Sequence, residues 1–410
     1  MLVVTANWAF TDGTLVPQPR RRQMEWLEAV HRAAVRAGGR RDGRYEPVDR
    51  VDIVLAGDTL DPLTSTAWLG GLRPWQAGRR AGDAAAAVMV AATARCRPLV
   101  AALGRWARRG LPLPAADRRG LPDSGRELRV PCRVTLLPGP RDRWIAAAAA
   151  RLARHGVTVA GSWSANGITV RPGAELDPLW SAAGEPGRLT LGESIAVDLV
   201  ARFGALVRDR VAAWPAGGSL VAALAAARPI DLPLVVTEAV ARAEPASSAA
   251  LVLESWRSAV ATWRRQARLA GPDCNAGIDG VAAVAAWMAT AGDRRPAAPT
   301  AEVAALLEPV RRPAERSGET AVIGHLAASE TGPSLVGLGP PPWRASRAEP
   351  PAGVAVTCVA PTAGPAGPGG VVFPDGRPGA WQWLAPDGEP PRQSAPARCS
   401  PAAHRIVEAA

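Results

Sequence analysis

At 410 residues, 48% of them hydrophobic, the chain is long enough for one large or two ordinary domains with a substantial core. All 48 basic residues are Arg, which marks a composition-biased, GC-rich genome and attributes the formal charge of +11 to scattered Arg rather than to a nucleic-acid footprint. Five cysteines (Cys96, Cys132, Cys274, Cys358, Cys399), far apart and without a CxxC pair, exclude a disulfide scaffold and a zinc knuckle.

The N-terminal MLVVTANWAF has no basic n-region and enters a strand at once, so no signal peptide is expected. Leu2–Ala6 is the first strand, and apolar positions at helical spacing predict a helix from about Gln23 to Arg36. Val51–Ala56, VDIVLA, reads as a central buried strand that runs into Gly57, Asp58, Thr59, Leu60 and Asp61. A long Ala-rich helix follows from Ala81 to Arg109, with Pro98 expected to kink or break it. Its longest apolar run, Ala84–Ala94, is too short to span a bilayer, and the chain is expected to be soluble and cytoplasmic. Gly110–Arg129 reads as a polar, Pro-rich loop. Arg133–Leu137 is the next strand, Arg143–Arg154 a helix, and Thr158–Ala160 and Gly167–Val170 short strands separated by Trp163–Asn166.

From Leu191 the period changes: Leu191–Trp214, Ser219–Ala227, Leu234–Ala243, Ser248–Ala270 and Gly280–Ala291 all predict helices. Strand signals return at Thr320–Gly324, Val354–Val359, Gly370–Phe373 and Ala380–Leu384, the last two flanking a turn and reading as a hairpin. The domains expected are a core of residues 1–190 and 318–386, a helical insertion of 191–317, and a C-terminal tail of 387–410.

Open α/β sheets carry their chemistry just past the carboxyl ends of their strands. Here those ends hold Asn7-Trp8-Ala9, Gly57-Asp58-Thr59-Leu60-Asp61, Gly139-Pro140-Arg141-Asp142 and Gly324-His325-Leu326-Ala327, with Val170–Glu175 between the last two. This order and spacing resemble the calcineurin-like metallophosphoesterases, whose pattern runs D-x-H, G-D-x-x-D, G-N-H-D/E, a lone His, and G-H-x-H. The resemblance covers residues 1 to about 190 and about 318 to 330. It implies an α/β fold, an αββα sandwich of two mixed sheets, here with an all-helical insertion that covers one edge or caps the strand ends.

The resemblance also implies roles for named residues. In that family two divalent metals clamp a phosphate and a bridging water becomes the nucleophile. Asp58 stands where the carboxylate bridging both metals would be, and His325 where the first His of G-H-x-H would ligate the second. Asn7 stands in the place of the first metal's Asp and offers a neutral amide oxygen; Ala9 stands in the place of its His. Pro140 replaces the Asn ligand, Arg141 the His that assists the leaving group, Pro172 lies near the lone His, and Ala327 replaces the final His. Pro and Ala cannot ligate through their side chains, and one anion does not neutralise two dications.

Each survivor also has a structural reading. Asp58 serves as well as a turn or cap residue, Asp61, Asp142 and Asp12 as caps or acceptors of turn amides, and His325 as a hydrogen-bonded strand end. Arg141 is either a surface Arg or a bidentate phosphate holder. Trp8, Trp68, Trp75, Trp144 and Trp163 read as packing residues, and His31, His155 and His404 match no motif. Glu175 and Asp177 would supply an oxygen-rich mononuclear Mg or Ca site. The expectation is therefore a catalytically inactive metallophosphoesterase-like protein that binds a phosphorylated ligand or a protein partner. Its alternatives are an active phosphoesterase with a divergent, mononuclear site on Asp58, Asp142 and His325 with Arg141 orienting the substrate, and an Arg-rich nucleic-acid-binding protein. A standard dinuclear metal centre is not expected.

Overall fold

A computed structural model describes residues 1–15, 20–76, 78–166, 168–173, 177–180, 189–211, 217–227, 229–244, 246–269, 276–293, 298–307, 320–323, 356–358, 370–374 and 382–384. His325, Glu175, His404 and the expected tail 387–410 lie outside the described residues.

The chain is mixed α/β. Its main sheet contains β1 (Leu2–Thr5), β2 (Val51–Ala56), β5 (Cys132–Leu137), β6 (Val157–Val159), β11 (Gly370–Phe373) and β12 (Gln382–Leu384), in the order β12-β11-β1-β2-β5-β6. Neighbours from β1 to β6 pair in parallel, while β11 and β12 add antiparallel, the latter two as the expected hairpin. All six residues of β2 are buried, as a strand covered on both faces must be. Alternate side chains go to opposite cores. Val3, Val51, Ile53, Leu55, Val134 and Leu136 pack with the helices α1 (Arg20–Ala37), α2 (Arg79–Arg95), α3 (Arg97–Arg109) and α4 (Ala146–Arg154). Leu2, Val4, Val54, Ala56 and Leu137 instead pack with Ile168 and Val170 of a second sheet.

That second sheet runs β10-β9-β8-β7, from β7 (Trp163–Ala165), β8 (Ile168–Arg171), β9 (Thr320–Ile323) and β10 (Val356–Cys358). Helices, main sheet and second sheet thus form three layers. From residue 191 to 307 every described element is helical: α5 (Leu191–Ser194) continues through a π-helical segment, Ile195–Ala201, into α6 (Arg202–Arg210). Then come α7 (Gly217–Ala226), α8 (Leu232–Arg242), α9 (Ala246–Leu269), α10 (Gly277–Met288) and α11 (Ala301–Leu307). Trp256 and Trp263 of α9 are fully buried at its centre; their indole N–H groups donate to the Met288 carbonyl at 2.8 Å and the Ser194 hydroxyl at 3.1 Å.

Two sequence expectations need correction. Residues 110–129 are not a loop: β3 (Leu111–Ala116) and β4 (Pro122–Val130) form an antiparallel hairpin. Leu111, Leu113 and Ala115 alternate inward while Pro112 and Pro114 do not, and both strands of a two-stranded sheet are edges, where Pro is tolerated. Trp163–Asn166 is likewise not a separator, because Trp163–Ala165 pairs with β8 and turns at Asn166, whose φ is 53°. The expected break at Pro98 is present as a 75° bend between α2 and α3. Among the described residues no single helix is long and apolar enough to cross a membrane.

The C-terminal end of α4 meets the body of α3 at Gly104, where an added Cβ would lie 2.4 Å from the His155 carbonyl oxygen. Gly104→Ala therefore forces the helices apart and should destabilise by about 1–3 kcal/mol in urea denaturation. Gly82→Ala, in α2 with open space at its Cβ, should instead stabilise by about 0.5–1 kcal/mol. Equal signs for the two would contradict this packing.

Candidate strand-end site

The parallel strands β1, β2 and β5 end on the same side, and their loops are laced together by backbone bonds. Asn7 N–H donates to the Gly57 carbonyl at 3.0 Å, Ala9 N–H to that of Asp58 at 3.0 Å and Phe10 N–H to that of Thr59 at 3.1 Å. Asp61 N–H returns to the Phe10 carbonyl at 2.7 Å. This crossing holds Asn7, Ala9 and Asp58 at φ of 56°, 48° and 49°. Asn and Asp tolerate the left-handed region; Ala9 does not, and its strain persists because the surrounding bonds over-determine it.

Carboxylates tie the second loop to the third. Asp58 Oδ1 accepts the Arg141 N–H at 2.9 Å. Asp142 accepts the Leu60 N–H through Oδ2 at 3.0 Å and the Gly139 N–H through Oδ1. Gly139 is required here, since a Cβ on it would lie 2.2 Å from Asp58 Oδ1. From the second sheet Pro172 reaches the same point: a Cβ built on Gly57 would stand 3.4 Å from both Pro172 Cβ and Gly139 Cα. The stretches around Asn7, Asp58, Arg141 and Pro172 are thus brought together.

Three buried carboxylates follow the ends of β2 and β5, with Asp58 2%, Asp61 0% and Asp142 0% exposed. Asp61 accepts the Leu63 and Thr64 amides, the Thr64 hydroxyl at 2.7 Å and the Arg141 guanidinium at 2.9 Å. Arg141 Nη1 also donates to the Ala225 carbonyl of α7 at 3.2 Å, and its Cζ lies 5.9 Å from the Trp180 ring centroid. Burial pulls the Arg141 pKa down, but Asp61, Asp58 and Asp177 outweigh it and the net shift is upward. Burial, then the charge of Asp58, raise Asp142 well above the usual carboxylate range, against the amides of Leu60, Gly139 and Thr59.

The helical insertion caps these strand ends. Besides the Arg141–Ala225 bond, Arg143 Nη2 lies 2.6 Å from Glu193 Oε1, and Glu193 also closes a capping box with Thr190. Arg73 Nη2 lies 2.7 Å from Asp198 Oδ1 inside the π-helical segment, with Arg202 at 3.7 Å. Arg208 donates to the Thr14 carbonyl at 3.0 Å, and Leu15 packs with Ala201, Ala205 and Val221. Burial raises Glu193 and lowers Arg143, each partly opposed by its partner, so this pair fixes position more than it adds stability.

Comparison with protein-family models, curated proteins and solved structures finds no match.

Among the described residues the donors do not fit a dinuclear metal centre. Asp58 and Asp142 are already engaged by backbone amides, and Ala9, Pro140 and Pro172 bring no side-chain donor to the crossing point. Among the described residues no group of three or more His, Cys, Asp or Glu is arranged to hold a metal. Asp61 and Asp12 act as turn acceptors; Asp12 takes the Thr14 amide at 3.0 Å and the Ser65 hydroxyl. Sequence reasoning missed Arg73, Arg143, Glu193 and Asp198. The T-x-x-E of the Thr190–Glu193 capping box was a visible signal, whereas the Arg73–Asp198 pair is separated by more than a hundred residues and had none.

Among the described residues Arg73→Met leaves Asp198 with the more distant Arg202 alone, and should cost about 3–5 kcal/mol in urea denaturation. Adding Asp198→Leu should recover part of that loss; a single variant within about 0.5 kcal/mol of the parent would contradict a buried latch. Because the folded Asp142 holds its proton more tightly than the unfolded one, its contribution to stability falls as pH rises from about 3.8 through its elevated folded titration. The stability difference between the parent and Asp142→Asn should therefore shift against the parent with rising pH, and the opposite slope would contradict the assignment.

Proposed function

We propose that the chain is a calcineurin-like metallophosphoesterase fold, an αββα sandwich with a helical insertion, that has given up catalysis and serves as a binding protein. Support comes from the convergence of the four described motif stretches, in the expected order, on one point at the strand ends. The observation that carries the loss of catalysis is what stands at that point. Arg141 is bonded to Asp61 and to α7, its amide to Asp58, and Pro172 packs against Gly57.

With Nη1 of Arg141 held by Asp61 and the Ala225 carbonyl, the bidentate grip on a phosphorylated ligand loses its anchor. A macromolecular partner, bound away from the strand ends, is the better fit. One observation favours the second reading, a divergent mononuclear phosphoesterase: Asp58 and Asp142 are close enough to raise the titration of Asp142.

Elemental analysis of the purified protein for Mn, Fe, Zn, Ni, Mg and Ca separates the two, run with hydrolysis of p-nitrophenyl phosphate and its diester in added Mn²⁺. A binding protein shows no stoichiometric metal, no turnover, and no change in either with Asp58→Asn. Stoichiometric metal or turnover that disappears in Asp58→Asn would restore the hydrolase.

A further inference from the structure

On the helix layer over the main sheet, α3 and α4 together present an arginine surface that the site leaves unused. Arg97, Arg105, Arg108, Arg109 and Arg154 are exposed and Arg151 half-buried, while neither helix, RPLVAALGRWARR nor AAAAARLAR, has an acidic residue. By helical spacing Arg97, Arg105 and Arg108 lie along one face of α3. The close approach at Gly104 brings the second set alongside, with Arg108 Nη1 3.5 Å from the Arg154 carbonyl. Arg151 lies near the other end of α3, close enough to act on the buried Cys96 thiol.

Elsewhere about half of the described arginines are neutralised locally, among them Arg79, 3.6 Å from Asp83, Arg129, 3.4 Å from Glu127, and Arg242, 3.0 Å from Glu238, whereas Arg257, Arg264 and Arg265 of α9 are not and so make a matched control. None of the six on α3 and α4 has an ion pair with a described residue. Two helix C-termini relieve part of this repulsion through their dipoles, but their effect fades within the last turn and Arg97 stands at the start of α3.

We propose that the α3–α4 surface binds nucleic acid through its phosphate backbone. Guanidinium forks match phosphate oxygens bidentately, and phosphate contacts need no apolar anchor. A lipid surface or a protein partner would call for one, and the exposed large hydrophobic residues Met24, Val90, Leu121, Leu128, Leu234 and Ile278 all lie off α3 and α4. The proposal stands independently of the metallophosphoesterase reading, because it uses neither the strand ends nor the insertion.

The test is fluorescence anisotropy of labelled duplex DNA and single-stranded RNA, a few helical turns in length, titrated with the full chain at several NaCl concentrations. Arg105→Gln/Arg108→Gln/Arg154→Gln should weaken binding about tenfold or more and lower the salt slope by about 2–3, at about 0.9 for each duplex phosphate no longer neutralised. The control Arg257→Gln/Arg264→Gln/Arg265→Gln removes the same charge from exposed positions of α9 and should leave affinity within about twofold. Circular dichroism melting checks that both variants are folded. Equal losses in the two variants, no binding by the parent, or tighter binding to phosphatidylserine vesicles or polyglutamate than to either nucleic acid would overturn the proposal.

Discussion

The architecture depends on how three carboxylates are kept buried at the ends of β2 and β5. An unpaired carboxylate in that position would be prohibitively costly, so each must be neutralised or hydrogen-bonded. Asp61 has the Arg141 guanidinium, Asp58 the Arg141 amide, and Asp142 two or more amides together with a raised affinity for its proton. A single residue, Arg141, therefore serves two of the three. A guanidinium and backbone dipoles thus stand in the same neighbourhood as these carboxylates.

That arrangement explains why the insertion sits where it does. Arg141 extends to the Ala225 carbonyl, and Arg73 and Arg143 make buried pairs with Asp198 and Glu193 on one continuous helix. Asp198 falls in the π-helical segment, whose hydrogen bonds span one residue more than those of an α-helix, a local departure often found at functional sites. Buried ion pairs contribute little net stability but penalise every other docking of the same helices. The cap is held in one place by charge and filled in by Leu15, Leu63 and Trp68.

Much of the core was legible because burial leaves a pattern in the residues themselves. VDIVLA declared a strand covered on both faces, and the change to helical period at Leu191 marked the insertion. The β3–β4 hairpin was not legible, because Pro112 and Pro114 of β3 speak locally for a loop, and only the pairing with Arg129 and Glu127 makes the strand. The Asn-Gly pair at 166–167 was a hairpin signal left unused. Within the site the loop residues were readable from strand ends and turn chemistry. The orientation of Arg141 was not, because it is decided by a carbonyl in α7, 84 positions away.

The most direct test of a strand end closed by its own arginine is a crystal grown in excess Mn²⁺, with anomalous data collected at a wavelength where manganese scatters. The account predicts no anomalous peak between Asp58 and Asp142, with the Arg141 guanidinium on Asp61 and the Ala225 carbonyl. A peak coordinated by Asp58 and Asp142, with Arg141 swung away from α7, would contradict it.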